Sequence, residues 1–164
     1  MPSRILLVDD EEEVLSAWET TLRPLKHEVT KAHNEAEAVA AASEHPFDLV
    51  LIDYLIPGKN GVEIIASIRK KLPLIRSVLI SGRLDEKLTK TDLKELVHDR
   101  VEVDELLHKP VKPKVLRETV SRLLASRPIE WKAVAAKSLE AYSVTERDAT
   151  EAGKAVGTRL RKSH

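Results

Sequence analysis

The chain has no cysteine, which excludes disulfide frameworks, thiolate zinc sites and thiol nucleophiles. Aromatic residues make up only 3% of it, and the pair near the C-terminus, Trp131 and Tyr142, read as packing residues rather than a nucleic-acid stacking platform. Neither sign of charge is in excess. Lys and Arg number 27 and Asp and Glu number 27, which argues against nucleic acid or anionic membrane as a partner of the chain's overall charge. Long apolar runs are missing too. Residues 49–52 are typical at four, where a membrane-spanning helix needs roughly 20. The short apolar run 5–8 passes directly into Asp9, Asp10, Glu11, Glu12 and Glu13, the reverse of a secretory signal. These absences predict a cytoplasmic protein with no membrane association.

What is present suffices for a packed core. The chain has 164 residues, and 42% of them are hydrophobic, which suits one domain of ordinary size plus something short. Short apolar runs alternate with amphipathic stretches. Strands are expected at residues 4–8, 28–31, 48–52, 77–80 and 104–107, nearly continuous in Val, Ile and Leu, as in strands covered on both faces. Helical stripes lie between them. Val14, Leu15, Trp18 and Leu22 form the first. Asn34 precedes Glu37 by three, a capping-box pattern opening a second, Ala-rich helix to about residue 43. Val62, Ile65, Ile68 and Leu72 form a third, and Leu84, Leu88, Leu93 and Leu96 a fourth. Val115, Leu116, Val120 and Leu123 form a fifth. Five such alternations predict an α/β fold, a doubly wound five-stranded parallel sheet with helices on both faces. Ligands then sit at the carboxyl ends of the strands.

The pattern changes at residue 127, and the expected division is a domain at 1–126 and a helical C-terminal extension at 127–164. Trp131, Ala135, Leu139 and Tyr142 share one helical face, and Ala149, Gly153, Val156 and Leu160 another. Helices are expected at 128–142 and 145–162. The extension carries eight basic and five acidic residues, a net of +3.

Polar residues end the expected strands. Asp9 and Asp10 end the first, Asp53 the third, Ser81 the fourth, and Lys109 the fifth, followed by Pro110. Three carboxylates brought to one sheet edge repel one another, and a hard cation such as Mg²⁺ offsets that charge. Lys109 adds a compact positive charge, and Ser81 a hydroxyl that can donate to a phosphate oxygen. Together these residues make a phosphoryl-acceptor site with Asp53 as nucleophile. The six histidines show no metal-ligand spacing and read as structural residues.

Val-Asp-Asp-Glu at 8–11, Leu-Ile-Asp-Tyr-Leu-Ile-Pro-Gly-Lys-Asn-Gly at 51–61, Ile-Ser-Gly at 80–82 and His-Lys-Pro-Val at 108–111 carry a resemblance. Over about residues 3–125 the chain resembles the receiver domain of bacterial two-component response regulators, a flavodoxin-like fold. The resemblance implies a switch rather than an enzyme. Asp53 would be phosphorylated by a sensor histidine kinase or phosphotransfer protein. Asp10 would ligate Mg²⁺ directly, with Asp9 acting largely through water and Asp53 and the main-chain carbonyl of Leu55 completing the set. Ser81 and Lys109 would contact the phosphoryl group. The family's Lys-Pro bond at 109–110 is cis, and Pro57 and Gly61 would shape the loop after Asp53.

The chain departs from the family in three places. Leu106 stands where an aromatic switch residue is usual, three residues before Lys109. Ser81 and Lys109 are 28 positions apart, several more than the family pattern. Val97, His98, Asp99, Arg100, Val101 and Glu102 replace the usual Gly-Ala turn before the fifth strand. The output surface around the fourth helix is therefore expected to be unusual. Homodimerisation through the fourth helix, fifth strand and fifth helix, or through the C-terminal helices, is one expected output. A DNA-binding regulator acting through the basic C-terminal helices is the alternative, although 38 residues and a net of +3 make a weak footprint. An aspartyl-phosphate phosphatase is disfavoured, because Leu55 occupies the place of the acid that handles the leaving group. Leu55 and Arg83 flank the site, and an apolar Leu55 should slow attack by water on a phosphorylated Asp53.

Overall fold

A computed structural model describes residues 2–82 and 103–126. The elements are β1 (Arg4–Val8), α1 (Glu12–Leu22), a 3-10 turn (Arg23–Leu25), β2 (Glu28–Ala32), α2 (Glu35–Glu44) and β3 (Leu49–Asp53). A two-residue hairpin follows, β4 (Leu55–Ile56) and β5 (Lys59–Asn60). Then come α3 (Gly61–Arg69), β6 (Arg76–Ser81), β7 (Glu105–His108) and α4 (Pro113–Ala125). The main sheet is parallel, in the order β2-β1-β3-β6-β7. The chain steps outward from β1 to β2 and then returns past β1 to β3. The strand order therefore reverses between β1 and β3, which opens a crevice at their carboxyl ends.

The period of two along each strand divides the core between the faces. Leu6, Val8, Val50, Ile52 and Leu79 face one way, against Ala38 and Ala42 of α2 and Ile64, Ile65 and Ile68 of α3. Ile5, Leu7, Leu49, Leu51, Val78 and Ile80 face the other, against Leu15, Trp18 and Leu22 of α1 and Leu116, Val120 and Leu123 of α4. Both faces are dry, which is why the strands read as continuous apolar runs. Leu106 packs on the first face and Leu107 on the second.

Several boundaries move by a residue for identifiable reasons. Asp48 is a brace before β3: its carboxylate accepts from the Arg4 amide at 2.8 Å. Asp104 likewise accepts from the Ser77 amide at 2.8 Å, so β7 starts one residue later than its apolar pattern suggests. Val115 is 40% exposed and does not share the buried stripe of Leu116, Val120 and Leu123. The expected capping box at Asn34 forms by half. Asn34 Oδ1 accepts from the Glu37 amide, but Glu37 returns to the His33 amide. A complete box starts α3 instead, between Asn60 and Glu63. The fourth helical stripe, Arg83 and the whole 127–164 extension lie outside the described residues.

Candidate functional site

Four strand ends meet at the crevice. Asp9 follows β1, and its Oδ1 accepts from the Glu11 amide at 2.8 Å, just ahead of α1. Glu12 and Glu13 then lie in the first turn of α1, where the helix dipole favours them. Asp53 is the last residue of β3. The Tyr54 amide donates to the Ile80 carbonyl at 2.9 Å, and the Lys109 amide to the Ser81 carbonyl at 2.8 Å, so the backbones of three strand ends are tied together. The Lys109–Pro110 peptide is cis.

The hairpin shapes the loop beyond Asp53. Gly58 turns it at φ +90°, a conformation that favours glycine. Gly61 lies so close to Asp53 that a Cβ there would collide with the Asp53 carbonyl oxygen. Its amide donates to the Tyr54 carbonyl at 2.7 Å. Lys59 and Ser67 both donate to Glu35 Oε1, at 2.9 and 2.7 Å, fastening the hairpin to α2 and α3.

Carboxylate oxygens of Asp9, Asp10 and Asp53 lie within 4.8 Å of one another. Asp9 is fully buried, Asp53 nearly so, and Asp10 exposed. Lys109 Nζ is 3.4 Å from Asp9 Oδ2 and 3.3 Å from Asp53 Oδ2. Burial pushes the Asp9 carboxyl up, and the Asp53 charge adds to this; the Glu11 amide and Lys109 oppose it. Three carboxylates against one ammonium leave a formal charge of −2 in ionised form. A divalent cation with oxygen ligands offsets that charge, so the donor set fits Mg²⁺. A cleft of about 540 Å³ opens here. Asp10, Asp53, Leu55, Pro57, Gly82 and Lys109 are among its lining residues.

Ser81 ends β6 with 1% exposure, and its Oγ has no hydrogen-bond partner among the described residues. A buried hydroxyl left unpaired costs free energy, so this one marks a place where an acceptor is missing. Asp9, Asp10, Asp53, Ser81 and Lys109, singled out in the sequence, thus lie at the same sheet edge, and Leu55 lines the cleft beside them. Trp18 joins them unannounced. Read in the sequence as one member of an apolar stripe, it places its ring centroid 5.7 Å from Lys109 Nζ. Nothing in the spacing of Trp18 signals that contact, which depends on α1 packing against β1 and α4 on the face of the sheet that also takes Leu107.

The sequence matches the family described as response regulator receiver domain over residues 5–121. A Bacillus subtilis protein called an uncharacterized transcriptional regulatory protein, YkoG, is 33% identical over 107 residues. The match covers 63% of this chain and 47% of that protein, so the chain spans about half the length of this curated relative. Among solved structures, a CheY-like receiver domain protein from Methanospirillum hungatei superposes with a TM-score of 0.66 at 26% identity. That alignment covers 76% of this chain and 95% of the other. The beryllofluoride-activated DrrB receiver domain gives a TM-score of 0.64 at 25% identity, covering 76% and 99%. With a five-stranded parallel sheet and an acidic crevice at its carboxyl edge, the molecule has the architecture of a signalling receiver. The chain belongs to the response regulator receiver domain family of two-component systems.

Proposed function

We propose that Asp53 is the phosphoryl acceptor of a Mg²⁺-dependent switch. The buried Ser81 hydroxyl, without a hydrogen-bond partner among the described residues, stands at the strand edge of a three-carboxylate crevice and carries this reading. A sensor histidine kinase or phosphotransfer protein is the donor. A carboxylate oxygen of Asp53 attacks phosphorus, forming an O–P bond. The P–N bond to the donor histidine breaks, and its electron pair stays on the imidazole nitrogen.

Asp9, Asp10, Asp53 and the Leu55 carbonyl would hold the cation, Asp9 from the buried side of the crevice. Bound Mg²⁺ would supply charge neutralisation for the phosphoryl oxygens. Lys109 exchanges its carboxylate partners for a phosphoryl oxygen, and Ser81 gains the acceptor it lacks. Drawing both residues toward the new anion biases the strand ends between two arrangements. Leu106 has no hydroxyl to couple to Ser81, so it follows by repacking against the core. The product is an altered binding surface, and the 1–126 domain passes the change to the 127–164 extension and its partners. Its own chemistry is confined to gaining and losing the phosphoryl group.

Thermal unfolding in Mg²⁺ with beryllofluoride tests the proposal. The midpoint should rise for the full chain and stay unchanged for Asp53→Asn. Equal behaviour of the two would overturn it.

A further inference from the structure

Trp18 is almost completely buried, with 7% of its surface exposed, yet one face of its ring looks onto a charge. Lys109 Nζ is 5.7 Å from the ring centroid, within the range of about 6 Å for attraction between an ammonium and an aromatic face. The same nitrogen is 3.4 Å from Asp9 Oδ2 and 3.3 Å from Asp53 Oδ2. Three separate elements thus surround one ammonium: α1 through Trp18, the end of β1 through Asp9, and the end of β3 through Asp53.

The three restraints respond differently to the reaction. A lysine ammonium is a compact charge on a flexible four-carbon stem, and carboxylates hold it without fixing its direction. Cation binding engages Asp9 and Asp53 and weakens their claim on Lys109. Phosphorylation removes charge from the Asp53 oxygen itself. The ring quadrupole of Trp18 depends on neither event. An indole in a dry core layer also has little freedom to move, since Leu15, Leu22 and Leu116 belong to the same cluster.

Building on the phosphoacceptor reading of Asp53, we infer that Trp18 is a positioning residue for Lys109. Its ring face keeps the ammonium over the gap between Asp9 and Asp53 while the carboxylates change state. Lys109 is then already in place when phosphoryl oxygens arrive. Trp18 acts through Lys109 and touches neither the cation nor the phosphoryl group.

The chain has two tryptophans, so Trp131→Phe leaves Trp18 as the only one. In that full-length background, phosphorylation by a small acyl phosphate with Mg²⁺ is followed by intact mass. Trp18→Phe keeps an aromatic face and should slow the saturating rate about twofold. Trp18→Leu fills the core without that face and should slow it roughly tenfold. The half-saturating Mg²⁺ concentration should stay within about twofold in both, because the loss falls on Lys109 and not on the metal ligands. Emission supplies a second reading that needs no change at Trp18. Lys109→Met keeps an unbranched stem without the ammonium and should alter the resting Trp18 emission. Equal rates for Trp18→Leu, Trp18→Phe and the parent overturn the inference alone, as does an emission unchanged by Lys109→Met. A parent chain that takes up no phosphoryl group overturns the phosphoacceptor reading, and the inference with it.

Discussion

Ser81 gives the residue scale its sharpest test, because its function and its stability point in opposite directions. Among the described residues this buried hydroxyl has no hydrogen-bond partner, and a buried polar group left so costs free energy. Ser81→Ala should therefore raise stability in urea by about 1 kcal/mol while slowing phosphorylation roughly tenfold. Loss of stability on this substitution would mean that the hydroxyl has a structural partner. Asp9 sets a pH dependence. Its carboxyl is raised above 3.8, chiefly by burial, and a cation needs it ionised. Mg²⁺ affinity should fall on acidification at pH values above 3.8, earlier than an ordinary aspartate would cause. Isothermal titration from neutral pH downward, with Asp10→Asn for comparison, measures it. At this scale the sequence was highly legible. Asp9, Asp10, Asp53, Ser81 and Lys109 sit at strand ends, and local apolar patterning locates strand ends. Trp18 was not legible as a neighbour of Lys109, because that contact spans 91 positions and depends on tertiary packing.

Among the elements, the β4–β5 hairpin was missed because two-residue strands leave no hydrophobic period to read. Its composition still explains it. Pro57-Gly58 makes the turn, and Asn60 with Glu63 caps the helix that follows. Gly61 makes the hairpin part of the site, since any Cβ there would press on the Asp53 backbone. Gly61→Ala should cost about 1–3 kcal/mol by overpacking and should also weaken Mg²⁺ binding, both read by urea unfolding with and without the ion. A second element-scale device joins α1 to α2. His33 bridges Glu12 at 2.6 Å and Glu37 at 2.9 Å, and both carboxylates raise its pKa above 6.5. Stability from the charged imidazole is complete below about 6.5 and is lost as pH climbs through the raised value. Glu12, held at about 2 by Lys31 and then by His33, works in the other direction. Its contribution is present above 4.5 and lost as pH falls toward 2. The thermal midpoint should accordingly decline on the alkaline side, and His33→Gln should flatten that decline. Spacing alone showed His33 only as a histidine without metal partners, because its two glutamates come from different helices.

For the whole molecule, the alternation of strand and helix in the sequence specifies the five-stranded sheet. Two dry faces force continuous apolar strands, and β3 is buried from Leu49 to Asp53. Its strand order, with the crevice at the reversal between β1 and β3, is what turns five scattered residues into one site. The exposed Leu55 side chain at the cleft mouth, 46% accessible, should hinder water and prolong the phosphorylated state. Leu55→Asn should shorten that lifetime several-fold, and an unchanged lifetime would remove Leu55 from the account. Output belongs to this scale too. Light scattering of the full chain with Mg²⁺ and beryllofluoride should show a change in molar mass that Asp53→Asn lacks; an unchanged mass would mean that the switch does not act through assembly.

The most direct measurement is intact-protein mass spectrometry after incubation with a small acyl phosphate, with and without Mg²⁺. The account predicts one added phosphoryl group per chain, dependent on Mg²⁺ and absent from Asp53→Asn. No adduct on the parent chain, or an adduct that survives in Asp53→Asn, would contradict it.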